Sequence, residues 1–241
     1  MKKKNLKLTT STTHTRINQA SAAMTSAKWQ AFTAAVKALK AQTAHPNYDD
    51  FAIAHTMARH QMQAHDRYTF LPWHREFLFH FENALRAIDP SVTLPYWDWT
   101  TSRTIPAPLA NAAEWGVSRD MGPGDSLPAS LATEIATVMG RSTYTSFHNS
   151  INGPHGEVHV LIGGQMGDIE NSPRDVLFWL HHAFLDKLWA DWSATPANSG
   201  KFPPDGSTPL TNINARLLPT DIFTHTSRQV FFTTDLGYTY Q

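Results

Sequence analysis

Residues 172–192 read SPRDVLFWLHHAFLDKLWADW. Asn171, Ser172 and Pro173 look like a capped start, and the apolar positions Val176, Phe178, Leu180, Leu185 and Trp189 predict a buried helix running to about Trp192. Adjacent His181 and His182 would lie about 100° apart on that helix, so only one of them can easily face a given metal ion. His182 shares a stripe with Phe178, Asp186 and Trp189, whereas His181 shares one with Leu177, Phe184 and Leu188. An acid one turn away suits an outer partner of a metal-binding histidine, which favours His182 and leaves His181 for packing. Periodicity alone does not settle the choice.

Working outward, histidines recur in two separated clusters, HDRYTFLPWH (65–74) and HGEVH (155–159) followed by FWLHH (178–182). Imidazole is a ligand shared by zinc, copper, iron and nickel, and with no cysteine in the chain every transition-metal ligand must be nitrogen or oxygen. His155 and His159 fall one helical turn apart, with Pro154 predicted to open their helix. Pro72 is predicted to open another, which carries His74, Phe77, Leu78, Phe81 and Leu85 and ends before Asp89-Pro90. His65 lies nine residues before His74, on the opposite side of any continuous helix, but the break at Pro72 lets the two converge.

Two further helices are expected. One is capped by Thr25-Ser26 and buries Trp29, Phe32, Val36 and Leu39; the other, over about 49–63, aligns His55 with Phe51, Ala58 and Met62. Taken alone, an inward histidine such as His55 is more often a packing residue than a ligand. Residues 101–152 are rich in Pro, Gly, Ser and Ala and read as a long surface connection with one short helix near 131–139. The fold class is mainly α with long surface loops.

Composition excludes several functions. Twenty basic residues balance twenty acidic ones, and the only basic run is at residues 2–4, so neither nucleic acid nor a membrane surface has an electrostatic footprint. No apolar run is long enough to span a membrane or to follow those lysines as a leader, which makes a cytoplasmic location the expectation. With 241 residues and 41% apolar content the chain is expected to form one domain over 1–241, with 1–10 as a flexible tail.

The segments YDDFAIAH (48–55), HDRYTFLPWHREFL (65–78), LPYWDW (94–99), HGEVHVLIGGQM (155–166) and SPRDVLFWLHHAFLDKLW (172–189) together resemble the tyrosinase family of type 3 copper proteins, which includes tyrosinases, catechol oxidases and, more distantly, molluscan haemocyanins. The resemblance implies a four-helix bundle holding two copper ions, with O2 as co-substrate. It assigns His55, His65 and His74 to copper A and His155, His159 and His182 to copper B, while His45, His60 and His80 match no ligand position. Arg16 resembles the family's N-terminal arginine, and Tyr238 and Tyr240 resemble the tyrosine motif that closes its catalytic domain. The chain ends one residue after Tyr240 and is read as a catalytic domain without a lid.

The implied activity is oxidation of o-diphenols to o-quinones. Phe178, Gly156 and Ile169 are expected to shape the substrate site and Asp186 to support the ligands. Relatives strong in monophenol hydroxylation often carry Asn directly after the first copper B histidine, with an upstream Glu; here Gly156 stands there and residues 146–154 hold no acid. Hydroxylation is therefore expected to be the weaker activity. The alternatives are an o-aminophenol oxidase, a haemocyanin-like O2 carrier and a dinuclear zinc hydrolase, the last disfavoured because no carboxylate stands at a ligand position. The expected partners are a small phenolic substrate and a copper chaperone.

Overall fold

The computed structural model describes residues 13–60, 68–204, 206, 210 and 225–241, with side chains at all of these except 59 and 60. The tail expected over 1–10 and the ligand candidate His65 lie outside the described residues. Short strand β1 (His14–Arg16) leads to α1 (Ser26–Ala41), α2 (Tyr48–His60) and α3 (Phe70–Ile88). After a long connection come α4 (Ser130–Met139), α5 (Tyr144–Ile162), the single turn α6 (Gly164–Gly167) and α7 (Val176–Ala194). Strand β2 (Tyr238–Tyr240) returns to pair in parallel with β1.

Helices α2, α3, α5 and α7 form the four-helix bundle, flanked by α1 against α2 and α3 and by α4 against α5. The bundle interior is aromatic: Trp179 of α7 stacks on Phe81 of α3 at 3.6 Å, and Phe51 of α2 meets both rings edge-on. Such pairs add about 0.5–1.5 kcal/mol each beyond the area they bury. Among the described residues no helix is long and apolar enough to cross a membrane.

Three helix starts differ from the sequence expectation. In α3 the first turn begins at Phe70, so Pro72 sits inside it, where its missing N–H has no intrahelical partner to lose. Helix α5 opens far upstream of Pro154, at a reciprocal capping box in which the Thr143 hydroxyl accepts from Ser146 N–H and the Ser146 hydroxyl from Thr143 N–H. The paired cap and the buried Tyr144, Phe147 and Ile151 outweigh the one hydrogen bond that Pro154 removes. The start expected at 171–173 is a separate 3-10 turn, Ser172–Arg174; Asp175 caps α7 by accepting from Leu177 N–H at 2.9 Å.

The long connection is a packed layer. It buries Ile105, Leu109, Trp115, Met121 and Leu127. Arg119 ties it to the cap of α7 through two bonds to the Asp175 carboxylate, at 2.6 and 2.7 Å.

Strands β1 and β2 are both clasped to the bundle by one buried charge network. Arg16 of β1 donates to Glu82 of α3 at 2.8 Å and to Asp186 of α7 at 3.3 Å. Arg75 of α3 donates to the other Asp186 oxygen, and the Tyr238 and Tyr240 hydroxyls donate to Asp186 at 2.7 and 2.6 Å. Two cations thus meet two carboxylates, with Arg16 also lying over the Tyr238 ring at 3.7 Å. Burial alone would raise the Glu82 carboxyl, but Arg16, then His14 and the Leu94 N–H, outweigh it and hold it at about 2.

Because the folded value is depressed below the ordinary 4.5, the stabilisation from Glu82 is present above that pH and is lost as pH falls towards 2. Glu82→Ala should leave two buried guanidinium groups sharing the single carboxylate of Asp186 and cost about 3–5 kcal/mol at neutral pH. It should also flatten the acid limb of stability between pH 4.5 and 2, measured by denaturant unfolding across that range. An unchanged acid limb would remove Glu82 from this role.

Candidate metal centre

Each helix of the bundle delivers histidine to one buried point. His55 comes from α2, His74 from α3, His155 and His159 from α5, and His181 and His182 from α7. His55 and His74 have ring centroids 5.6 Å apart. In the second group His155 lies 4.8 Å from His159 and 5.0 Å from His182, centroid to centroid. The two groups meet where His74 stacks on His182 at 4.4 Å.

Two backbone carbonyls prepare the donors. His159 Nδ1 lies 2.7 Å from the Met166 carbonyl, and His74 Nδ1 lies 2.8 Å from that of Phe70. A carbonyl only accepts, so each Nδ1 carries the proton and each Nε2 keeps its lone pair. The His159 and His182 Nε2 atoms then sit 3.3 Å apart. Two nitrogens bound at about 2.0–2.1 Å to a tetrahedral first-row ion would be separated by about the same distance. Burial disfavours the charged imidazolium: His159 is lowered to about 4, with the Met166 carbonyl only partly offsetting burial, and burial also pushes His182 well below the ordinary histidine value. Both rings are neutral at ordinary pH, as metal ligation requires.

Ring nitrogens of His155, His159, His181 and His182 all fall within 4.8 Å of one another, so distance does not separate the adjacent pair on α7. Hydrogen bonding does. The Trp99 indole N–H donates to His181 Nδ1 at 3.0 Å, and since indole has no acceptor, neutral His181 must carry its proton on Nε2. His181 thus presents no bare nitrogen to the cluster, and its Nδ1 is committed to packing. His182 instead faces His74 and Phe178.

Beside the histidines lies a cavity of about 190 Å³, lined also by Gly156, Val160, Met166, Ile169, Ser172 and Phe178. It is apolar and sized for a single ring more than for the roughly 300–1,000 Å³ of drug-sized ligands. Phe178 forms its wall, its ring 4.1 Å from His182 and 5.2 Å from His55. Gly156 and Ile169 both line it. Asp186 does not: its carboxylate serves Arg16, Arg75, Tyr238 and Tyr240, and it bears on the centre only through the helix it shares with His182. His45 pairs with Asp50 and His80 with Glu76, both away from the cluster.

Met166, Phe70 and Trp99 were not evident from the sequence as supporting groups. Two of them act through backbone carbonyls, and Trp99 reaches His181 from a segment 82 residues away. The turn that returns Met166 beneath His159 depends on Gly163, whose φ is +69° and where a Cβ would lie 2.0 Å from Asp120 Oδ2. The GG dipeptide of residues 163–164 was the available signal.

Four helices converging histidines on an apolar cavity define a candidate metal centre of the helix-bundle class. The family model for the common central domain of tyrosinase matches residues 45–130 and 119–195. The chain is 33% identical to a tyrosinase of Streptomyces glaucescens over 90% of this chain and 98% of the relative. It is 32% identical to a tyrosinase of Streptomyces antibioticus, over 85% and 92%. A polyphenol oxidase mutant from Thermothelomyces thermophila shares the fold at a TM-score of 0.72 and 20% identity, covering 95% of this chain and 89% of that one. An octopus hemocyanin functional unit does so at 0.68 and 23%, covering 95% and 68%. The chain belongs to the tyrosinase family, a type 3 dinuclear copper family, and is an oxidoreductase of that family.

The hydrogen-bond geometry generates a paired test. His182→Ala should lose about half of the tightly bound copper, measured by metal analysis after dialysis. His181→Ala should keep its copper and lose thermal stability, because the Trp99 indole loses its acceptor at a cost of about 1–3 kcal/mol. The reverse pattern would exchange the two roles.

Proposed function

We propose that the chain is a polyphenol oxidase that oxidises o-diphenols to o-quinones with O2 and hydroxylates monophenols only weakly. The observation that carries this reading is the pair of neutral Nε2 donors 3.3 Å apart beside an apolar, ring-sized cavity. His55, His65 and His74 would hold one copper and His155, His159 and His182 the other, as the family's ligand pattern assigns them. A copper pair held in this way supplies the redox couple between diphenol and O2: two diphenols each lose two electrons and two protons, and O2 takes up four of each to give two waters.

The chain's own residues bind and orient. The neutral imidazoles contribute no charge to oppose a bound cation, and the Phe178 ring offers a face against which an aromatic substrate packs. Burial of the histidine cluster and the apolar wall exclude water, which strengthens electrostatic attraction at the site. Among the described residues lining the cavity there is no carboxylate, so no acid stands ready to take the proton of a monophenol or to fix a water that does. That supports diphenol oxidation as the main activity.

Reconstitution tests the proposal directly. The protein should bind two coppers per chain, and the loaded form should consume O2 with catechol at two catechols per O2, without proteolysis or detergent, because the cavity already reaches solvent past Val160 and Ile169. Full copper loading without O2 uptake on catechol would overturn it. A Cβ at Gly156 would meet nothing within 4 Å, so Gly156→Asn should fold unchanged. We expect it to raise monophenol relative to diphenol turnover by a few-fold, modestly because no upstream acid completes the pair.

A further inference from the structure

His159 owes its ring orientation to the Met166 carbonyl, and that carbonyl is placed by the tight turn leading from α5 into α6. Two consecutive glycines make the turn, Gly163 at φ +69° and Gly164 at φ +52°, both in the left-handed region. The backbone of the long connection lies directly against them: a Cβ at Gly164 would come within 1.9 Å of the Ser118 carbonyl oxygen, much as one at Gly163 would meet Asp120. Backbone bonds hold the two segments together. Asp120 N–H and Met121 N–H both donate to the Ile162 carbonyl, at 2.8 and 3.2 Å, and Gln165 N–H donates to the Ser118 carbonyl at 3.3 Å. The Gln165 side chain adds a grip of its own. Its amide oxygen accepts from the Ser118 N–H and from the Ser118 hydroxyl, the latter at 3.1 Å. A backbone N–H can only donate, which places the oxygen of the amide, and not its nitrogen, on Ser118. The next residue, Arg119, is bonded to Asp175 and to the Leu109 carbonyl, so Gln165 grips a stretch that is itself held to the cap of α7.

Gln165 does not line the cavity. We propose that it is a positioning residue for the metal centre: by gripping Ser118 it keeps the Gly163–Gly164 turn closed, the Met166 carbonyl on His159 Nδ1, and the lone pair of His159 on Nε2. The proposal rests on His159 as a metal ligand. A neutral imidazole with no acceptor at Nδ1 favours the tautomer whose proton sits on Nε2, and that atom then has no lone pair to give. Glycine is the residue whose backbone is least restrained, so without the grip the turn samples other conformations and the Met166 carbonyl leaves Nδ1. His74 is the internal contrast: its acceptor, the Phe70 carbonyl, sits one turn away on the same helix and depends on no glycine turn.

The test is the tautomer of each histidine in the metal-free full chain, read from its ring-nitrogen NMR shifts. Wild type should show His159 protonated at Nδ1. Gln165 is half-buried, so Gln165→Ala should fold. That variant should move a large share of His159 to the Nε2–H form and leave His74 unchanged. It should also weaken binding of the copper ion that His159 would hold by about tenfold, the lower end of what losing an outer partner of a ligand histidine costs. Gln165→Glu, whose carboxylate accepts from the same Ser118 groups, should restore both readings. An unchanged His159 tautomer in Gln165→Ala would overturn the proposal, and so would a change that His74 shares, because that marks general loosening of the bundle. A wild type that binds no copper through His159 would sink the ligand assignment instead, while the metal-free spectra still decide whether Gln165 acts on that ring.

Discussion

A histidine presents a chosen ring nitrogen to a metal when something else holds the proton on the other. At His74 and His159 that role falls to the backbone. The Phe70 carbonyl fixes His74 and the Met166 carbonyl fixes His159, so the orientation of each ring follows from the path of the main chain around it. Backbone acceptors are as rigid as the helices and turns that carry them, and they bring no ionic charge into the site. The same rule decides between the neighbours on α7, because a tryptophan N–H can only donate and therefore removes the bare Nδ1 of His181. The four helices, the tight turn at Gly163 and the burial of Trp99 are all arranged around that accounting of protons.

Charge has been gathered one turn away on the same helices. Asp186 lies one turn beyond His182, where an acid could have supported a ligand, yet it is the centre of the clasp formed by Arg16, Arg75, Tyr238 and Tyr240. Burying such a group is tolerable because two guanidinium groups oppose two carboxylates and the tyrosine hydroxyls satisfy the remaining lone pairs. The consequence is mechanical: β1 and β2, from the two ends of the chain, are bonded to α3 and α7, the helices that carry His74 and His182.

Much of this was legible in the sequence, for identifiable reasons. The helices of the bundle announce themselves through aromatic periodicity in residues 48–60, 70–88 and 176–194, and the histidines through their place on those stripes. The full extent of α5 was not legible, because Pro154 and Gly153 look like a boundary while the actual start is a Thr143–Ser146 capping box in a stretch of polar residues. The role of Asp186 was misplaced because a helical stripe shows which residues share a face but not which distant arginine claims the carboxylate first. Met166 and Phe70 could not be recognised at all, since their contribution is a carbonyl oxygen that every residue possesses.

The same physics ties the interior to its choice of ligand. The neutral imidazoles of His159 and His182 would cancel none of the charge of a cation held between them, so under the proposed oxidase reading that charge stays available to attract the oxygen of a bound phenol. An apolar wall sharpens the attraction by keeping water out, and it leaves the rest of the substrate to be recognised by shape and by burial. Under the proposed oxidase reading, electrostatic recognition then falls on the substrate atoms nearest the histidines and hydrophobic recognition on the ring that packs against Phe178.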